Sequence, residues 1–238
     1  MRDLNPLKPQ VIRTPDLVGA ASEFILQQAR AAFAERGEFR IALSGGRTPR
    51  PVYEQLARAG HDLPWERVLV TFSDERCVPP EDEQSNYRMA RESLLIPAAV
   101  PDRSVIRLRG EIDPHLAAQE YEDQLSVLAT QKGEVIYRHD VLLLGLGDDG
   151  HTASLFPGTA ALEESSRPVV ANFVPKVDAW RLTFTFPLIE QARTICFLVD
   201  EKKDRDLIDE VLRGDPRYPA SRVQGAGAEV IWIIAEPA

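Results

Sequence analysis

Residues able to do chemistry gather in one short stretch. His151 follows Asp148 and Asp149 within VLLLGLGDDGHTASLFP, residues Val141 to Pro157. Histidine titrates near neutral pH, so it can take a proton in one step and return it in the next. His151 is therefore the leading catalytic candidate. Asp149, or alternatively Asp74 from another loop, is expected to orient the imidazole and balance its charge. Nearby serines lack the G-x-S-x-G nucleophile elbow, so nothing argues for a covalent intermediate. His61, His115 and His139 fall in a loop, at a helix start and before a strand, and are read as structural or solvent-facing. No histidine pair has i,i+4 or H-x-H spacing, so no metal is expected.

The elements around this stretch have to place it. Val141 to Leu144 is a run of four apolar residues bounded by glycines, which reads as a strand buried on both faces of a parallel sheet. Ligands of open α/β sheets bind where loops leave the carboxyl ends of strands, and the aspartates and His151 lie there. Gly145 to Gly150 also matches the G-x-G-x-x-G dinucleotide fingerprint. That reading fails on three counts. Two aspartates would face the pyrophosphate, Phe156-Pro157-Gly158 leaves no room for a crossover helix, and the next strand, Val169 to Asn172, ends without a ribose-binding acid.

Two further loops carry polar content. Ser44-Gly45-Gly46-Arg47-Thr48-Pro49 joins a strand, Phe39 to Leu43, to a helix from about Pro51 to Ala59. A strand, a turn of small residues and a helix start together present free backbone N–H groups to an anion. Ser73-Asp74-Glu75-Arg76 is read as a charged turn after the strand Val68 to Phe72. If these strands are parallel neighbours, their loops meet on one rim. Lys176 and Arg181 then join Arg47 and Arg76 around a cleft suited to an anion such as a phosphate.

The remaining chain alternates strands and helices. Residues 1–9 read as a loosely held lead-in, Val11 to Arg13 as a strand, and the segment from Asp16 to Gly37 as a capped helix with Val18, Ala21, Ile25, Ala29 and Phe33 on one face. Helices are expected over Arg88–Leu95, Pro114–Gln131 and Asp204–Leu212. Strands are expected over Val105–Arg107, His139–Leu144, Arg181–Phe186, Thr194–Val199 and Val230–Ile234. This order predicts one α/β domain over residues 1–238, with a doubly wound, mostly parallel, Rossmann-like sheet and helices on both faces.

Bulk properties narrow the function classes. With 238 residues, 44% of them hydrophobic, the chain can bury a sizeable core. The formal net charge of -9 provides no general field for nucleic acid or anionic membrane. No leader-like segment or long apolar run is visible, so the cytoplasm is the expected compartment. Cys77 and Cys196 are read as reduced thiols.

The elements LSGGRTP, SDER, SNY and GLGDDGHTASLFPG, in order from Ile41 to Arg193, resemble the 6-phosphogluconolactonase family. The resemblance implies a cofactor-free hydrolase on the α/β fold shared with amino-sugar-phosphate isomerases. It implies 6-phospho-D-glucono-1,5-lactone as a small-molecule substrate, in the oxidative pentose phosphate pathway. The acidic charge and the lack of a long apolar run lead to the expectation of no nucleic-acid or membrane partner, and the protein is expected to be a monomer. It places the family histidine on His151 and the turn acid on Asp149. Glycine-turn contacts fall on Gly45, Gly46 and Thr48, with Ser44 and Arg47 beside them, and the remaining substrate and phosphate contacts on Arg76, Asn86, Lys176 and Arg181. One departure is visible: the family lysine is often followed by two prolines, whereas Lys176 precedes Val177-Asp178-Ala179-Trp180. The amino-sugar deaminases of the same fold place a glutamate shortly after the histidine. Thr152 to Phe156 contains no carboxylate.

Overall fold

A computed structural model describes residues 9–200, 202–225 and 227–237. The lead-in expected over residues 1–9 therefore falls, except for Pro9, outside the described residues. Six strands form a wholly parallel sheet: β1 (Gln10–Thr14), β2 (Phe39–Leu43), β3 (Val68–Phe72), β5 (Val141–Gly145), β8 (Thr194–Val199) and β9 (Glu229–Ala235). Their spatial order is β1-β9-β8-β5-β2-β3. A second, antiparallel sheet contains β4 (Asp74–Arg76), β7 (Ala179–Phe184) and β6 (Val169–Val174), in that order. Ser73 joins the two sheets, donating its N–H to Leu43 at 2.8 Å and accepting from the Phe184 N–H at 2.8 Å.

The helices follow their capping residues. Asp16 accepts from the Gly19 N–H and opens α1 (Leu17–Arg36), which Gly37 closes at φ 73°. The next helix, α2 (Pro49–Ala59), starts two residues earlier than the expected Pro51. Pro49 and Pro51 both fit its first turn, where a missing N–H costs nothing. Ser85 caps α3 (Asn86–Ala90), which continues as a π-helical turn over Arg91–Leu95, and Asp113 caps α4 (Pro114–Gln131). Phe186–Ile189 forms α5 and Arg205–Leu212 forms α6, the latter capped by Asp204.

The chain leaves β2 toward one edge of the sheet through α2 to β3, then returns past β2 through α4 to β5. Right-handed crossovers running in opposite directions lie on opposite faces, so the sheet is doubly wound. Its switch point lies between β2 and β5, where Ile41 pairs with Val141 and Ala42 with Leu142. Every residue of β2 and β8, and Val141 to Leu144 of β5, is buried. Each fully buried Val, Leu, Ile or Phe side chain among them contributes roughly 1.5–3 kcal/mol of burial.

Three expectations are corrected. Val105 to Arg107 is not a strand; Val105 makes one isolated parallel bridge to Val70. Arg181 to Phe186 does not extend the parallel sheet. Its strand runs over Ala179–Phe184 in the antiparallel sheet, and Phe186-Pro187 opens a helical turn because proline cannot donate to a ladder. Nor is Asp74 to Arg76 a solvated turn. It is a strand paired with β7, and Asp74 and Glu75 are both buried.

Candidate active site

His151 is held by its own loop. The Gly147 N–H donates to the His151 carbonyl at 2.8 Å, and Gly150 takes φ 73°, which turns the chain sharply after the aspartates. His151 Nδ1 lies 2.5 Å from Asp149 Oδ1, and the imidazole stacks on Phe156 with centroids 3.8 Å apart and planes 19° apart. The approach leaves no room at Gly147, where a Cβ would sit 2.0 Å from Nδ1.

Asp149 also accepts from Lys176 Nζ at 2.6 Å on its other oxygen. Burial alone would raise the Asp149 carboxyl, but hydrogen bonds from His151 and Lys176 outweigh it and hold the group well below the usual carboxylate range. Asp149 is thus ionised, the proton of a neutral imidazole belongs on Nδ1, and the Nε2 lone pair is left for chemistry. No hydrogen bond reaches Nε2 among the described residues.

Asp74 is in the same cleft but does not touch His151. Its Oδ1 accepts from Asn86 Nδ2 at 3.0 Å and its Oδ2 from Ser154 Oγ at 2.7 Å. Of the two carboxylates considered for the imidazole, Asp149 is the one that meets it. Asn86 is buried and packs so closely under the glycine turn that a Cβ on Gly45 would fall 1.8 Å from Asn86 Oδ1. Asn86 thereby ties the turn after β2 to β4, rather than acting only as a helix cap.

The segment after His151 is clamped by the small sheet. Ser154 N–H donates to Thr183 Oγ1 at 3.1 Å, and its carbonyl accepts from Asn172 Nδ2 at 2.9 Å. The His151 loop of one sheet is therefore braced by side chains of the other.

The cleft between them has a volume of about 720 Å³. It is lined by Ser44 to Thr48 and Pro49 at the start of α2, by Asp74, Arg76 and Asn86, and by His151, Lys176 and Arg181. Thr48 makes no side-chain cap, and Pro49 and Pro51 have no N–H, so Arg50 supplies the one backbone donor among the first three residues of α2. Ser44 is anchored through its backbone to the Tyr53 hydroxyl, while its buried Oγ has no hydrogen-bond partner among the described residues. Arg76 and Arg181 are cross-strand partners. Burial and the neighbouring Arg76 lower the Arg181 pKa. Each guanidinium donates to a backbone carbonyl, of Gln84 and Trp180 respectively.

All the site residues expected from the sequence line this one cleft except Asp149, which stands behind His151. The sequence reading missed the segment after β8, where Asp200, Lys202 and Lys203 also face the cleft and Lys203 pairs with Asp148. The signal was available, since two lysines follow directly after the end of a buried parallel strand.

Fold and site together define a doubly wound α/β protein with a histidine–carboxylate pair beside a basic cleft at the sheet's switch point. The chain belongs to the family of glucosamine-6-phosphate isomerases and 6-phosphogluconolactonases, whose model matches residues 13–232. It is 40% identical to a 6-phosphogluconolactonase of Synechocystis sp. over 98% of each chain. Among solved structures, the 6-phosphogluconolactonase of Thermotoga maritima superposes with a TM-score of 0.85 at 28% identity, covering 96% of this chain and all of that one. The enzyme of Trypanosoma brucei gives 0.84 at 29%, covering 97% of each.

Proposed function

We propose that the protein hydrolyses 6-phospho-D-glucono-1,5-lactone to 6-phospho-D-gluconate, the lactone step of the oxidative pentose phosphate pathway. The observation that carries this reading is the Asp149–His151 pair opening on a cleft where Arg76 and Arg181 stand side by side. Two like charges in cross-strand register are unfavourable by themselves and are relieved by an anion between them. A phosphate with nearly two negative charges suits that place, and the kinship to the Synechocystis enzyme supports the lactone as the group presented to the histidine.

The residues then divide the work. Arg76 and Arg181 hold the phosphate and Ser44 to Thr48, with Asn86 beneath, hold the sugar. Water near His151 attacks C1 while Nε2 takes its proton, and Asp149 stabilises the imidazolium that results. Collapse of the tetrahedral intermediate breaks the bond from C1 to the ring oxygen, and Nε2 returns the proton to that oxygen. The positive potential of the cleft and of the α2 N-terminus stabilises the oxyanion. We read the whole chain as one lactonase domain, acting as a monomer in the cytoplasm without a metal or cofactor.

The test generates the lactone in situ from glucose 6-phosphate and its dehydrogenase, and compares 6-phosphogluconate formation with spontaneous hydrolysis. A rate above background is expected, and His151→Ala should lower kcat roughly a hundred- to ten-thousand-fold with a much smaller effect on KM. No rate above background, with ammonia released from glucosamine 6-phosphate, would move the protein to the deaminase branch of its family.

A further inference from the structure

Lys176 does not stand in the cleft as an idle cation. Its ammonium is on Asp149 Oδ2 at 2.6 Å while Asp149 Oδ1 meets His151, so one carboxylate serves two cations. The lysine side chain is 60% exposed, and Asp149 is the one side chain with which it makes a salt bridge or hydrogen bond among the described residues. It comes from the Pro175–Val177 turn between β6 and β7, on the same hairpin that carries Arg181.

We propose that Lys176 is a latch on Asp149, lifted by the phosphate of the incoming substrate, so that His151 becomes a stronger base only when the cleft is occupied. The proposal rests on the lactonase reading for the identity of that phosphate. While Lys176 holds Oδ2, part of the carboxylate's charge is spent on the ammonium and less is available to stabilise a proton on the imidazole. A dianion bound beside Arg76 and Arg181 competes for the ammonium, which a flexible four-carbon stem allows to move. Once Lys176 turns to the phosphate, Asp149 faces His151 alone and the proton affinity of Nε2 rises.

The other charges around the imidazole do not duplicate this contact. On its own loop Asp148 is paired with Lys203, which comes from the segment after β8. Asp200, Lys202 and Arg47 also line the cleft. Asp74 on β4 is held by Asn86 and Ser154, and Phe156 covers the ring face without charge. Among the described residues Lys176 is the cation that bonds directly to the carboxylate of the pair. It is a positioning residue for His151 at rest and a substrate contact in the complex.

The test titrates the His151 imidazole by NMR in the full-length protein, its resonance identified by its loss in His151→Gln. Wild type, Lys176→Met and Lys176→Arg are compared, each free and saturated with 6-phosphogluconate. In the free protein the His151 titration curve of Lys176→Met should lie at higher pH than that of wild type. Lys176→Arg should stay near wild type. Product binding should raise the pKa by more in wild type than in Lys176→Met, since only the former has a latch to lift. An unchanged free pKa in Lys176→Met overturns the proposal. So does a binding-induced rise of equal size in both proteins, which would mean that the lysine never leaves Asp149. A protein without lactonase activity that still passes both comparisons with inorganic phosphate would keep the latch and retire the substrate.

Discussion

A buried histidine that the mechanism does not use, His139, makes the sharpest stability prediction. His139 is fully buried between Tyr137 and Phe184, with ring centroids 4.9 and 5.5 Å away. Its Nε2 lies 2.8 Å from Thr71 Oγ1, and its Nδ1 has no partner among the described residues. Burial, with a smaller contribution from nearby Arg40, lowers its pKa from 6.5 to about 3. The unfolded chain therefore binds a proton at this residue that the folded chain refuses, and stability is lost as pH falls through 6.5 and on toward 3. Between pH 7 and pH 5 the folded form stays neutral while the unfolded form protonates, so this residue alone should cost about 2 kcal/mol of unfolding free energy. The assay is urea unfolding at several pH values in that window, for wild type and His139→Phe, which keeps an aromatic ring in the sandwich. The variant's stability at pH 7 is immaterial; the difference in pH slope isolates the residue. Parallel slopes for the two proteins would refute the reasoning.

Two further substitutions probe the positioning of the site. Gly147→Ala puts a methyl group 2.0 Å from His151 Nδ1 and must push the imidazole off Asp149; kcat should fall about a hundredfold or more with the circular dichroism spectrum unchanged, and near-normal turnover would show that the loop yields instead. Glu75 is buried and accepts from the backbone N–H groups of Arg76, Asn86 and Tyr87 and from Ser85 Oγ. Glu75→Gln turns an amide N–H₂ toward those donors, so a loss of about 1–3 kcal/mol is expected in chemical unfolding, together with a raised KM as Arg76 and Asn86 lose their anchor.

Much of the parallel sheet could be read because its signals are local. The runs at Phe39–Leu43, Val68–Phe72 and Thr194–Val199 are short, apolar and bounded by polar or turn residues, and each forms the strand expected. Gly37 and Asp16 mark their helix as they should. Strands near Val169–Asn172 and Arg181–Phe186 were expected, but their pairing into a small antiparallel sheet was not legible, because β4 consists of three consecutive charged residues, and the burial of Asp74 and Glu75 depends on partners far along the chain. Asp74 needs Ser154, and Glu75 needs the N-terminus of α3. The site shows the same division. His151 and its neighbouring aspartate announce themselves by spacing, whereas the choice of Asp149 over Asp74, and the arrival of Lys203, depend on which loops the fold brings together. The dinucleotide-like glycines mislead as a pattern, yet their local reason is plain, since Gly147 makes room for an imidazole.

Strands β5 and β8 are hydrogen-bonded neighbours, although the His151 loop, both long strands of the small sheet and α5 come between them in sequence. That whole excursion departs from one strand and returns beside it, so the parallel sheet closes across its base. The strands that carry the His151 loop and the hairpin that carries Lys176 are therefore separate parts of the chain. Turns such as Pro175–Val177 can change length or composition, altering which sugar phosphates fit beneath them, while the strands that carry the histidine's loop keep their register. A departure such as Val177-Asp178-Ala179-Trp180 is the kind of variation that such an architecture tolerates, and grafting that turn between relatives is a direct route to new substrate preference.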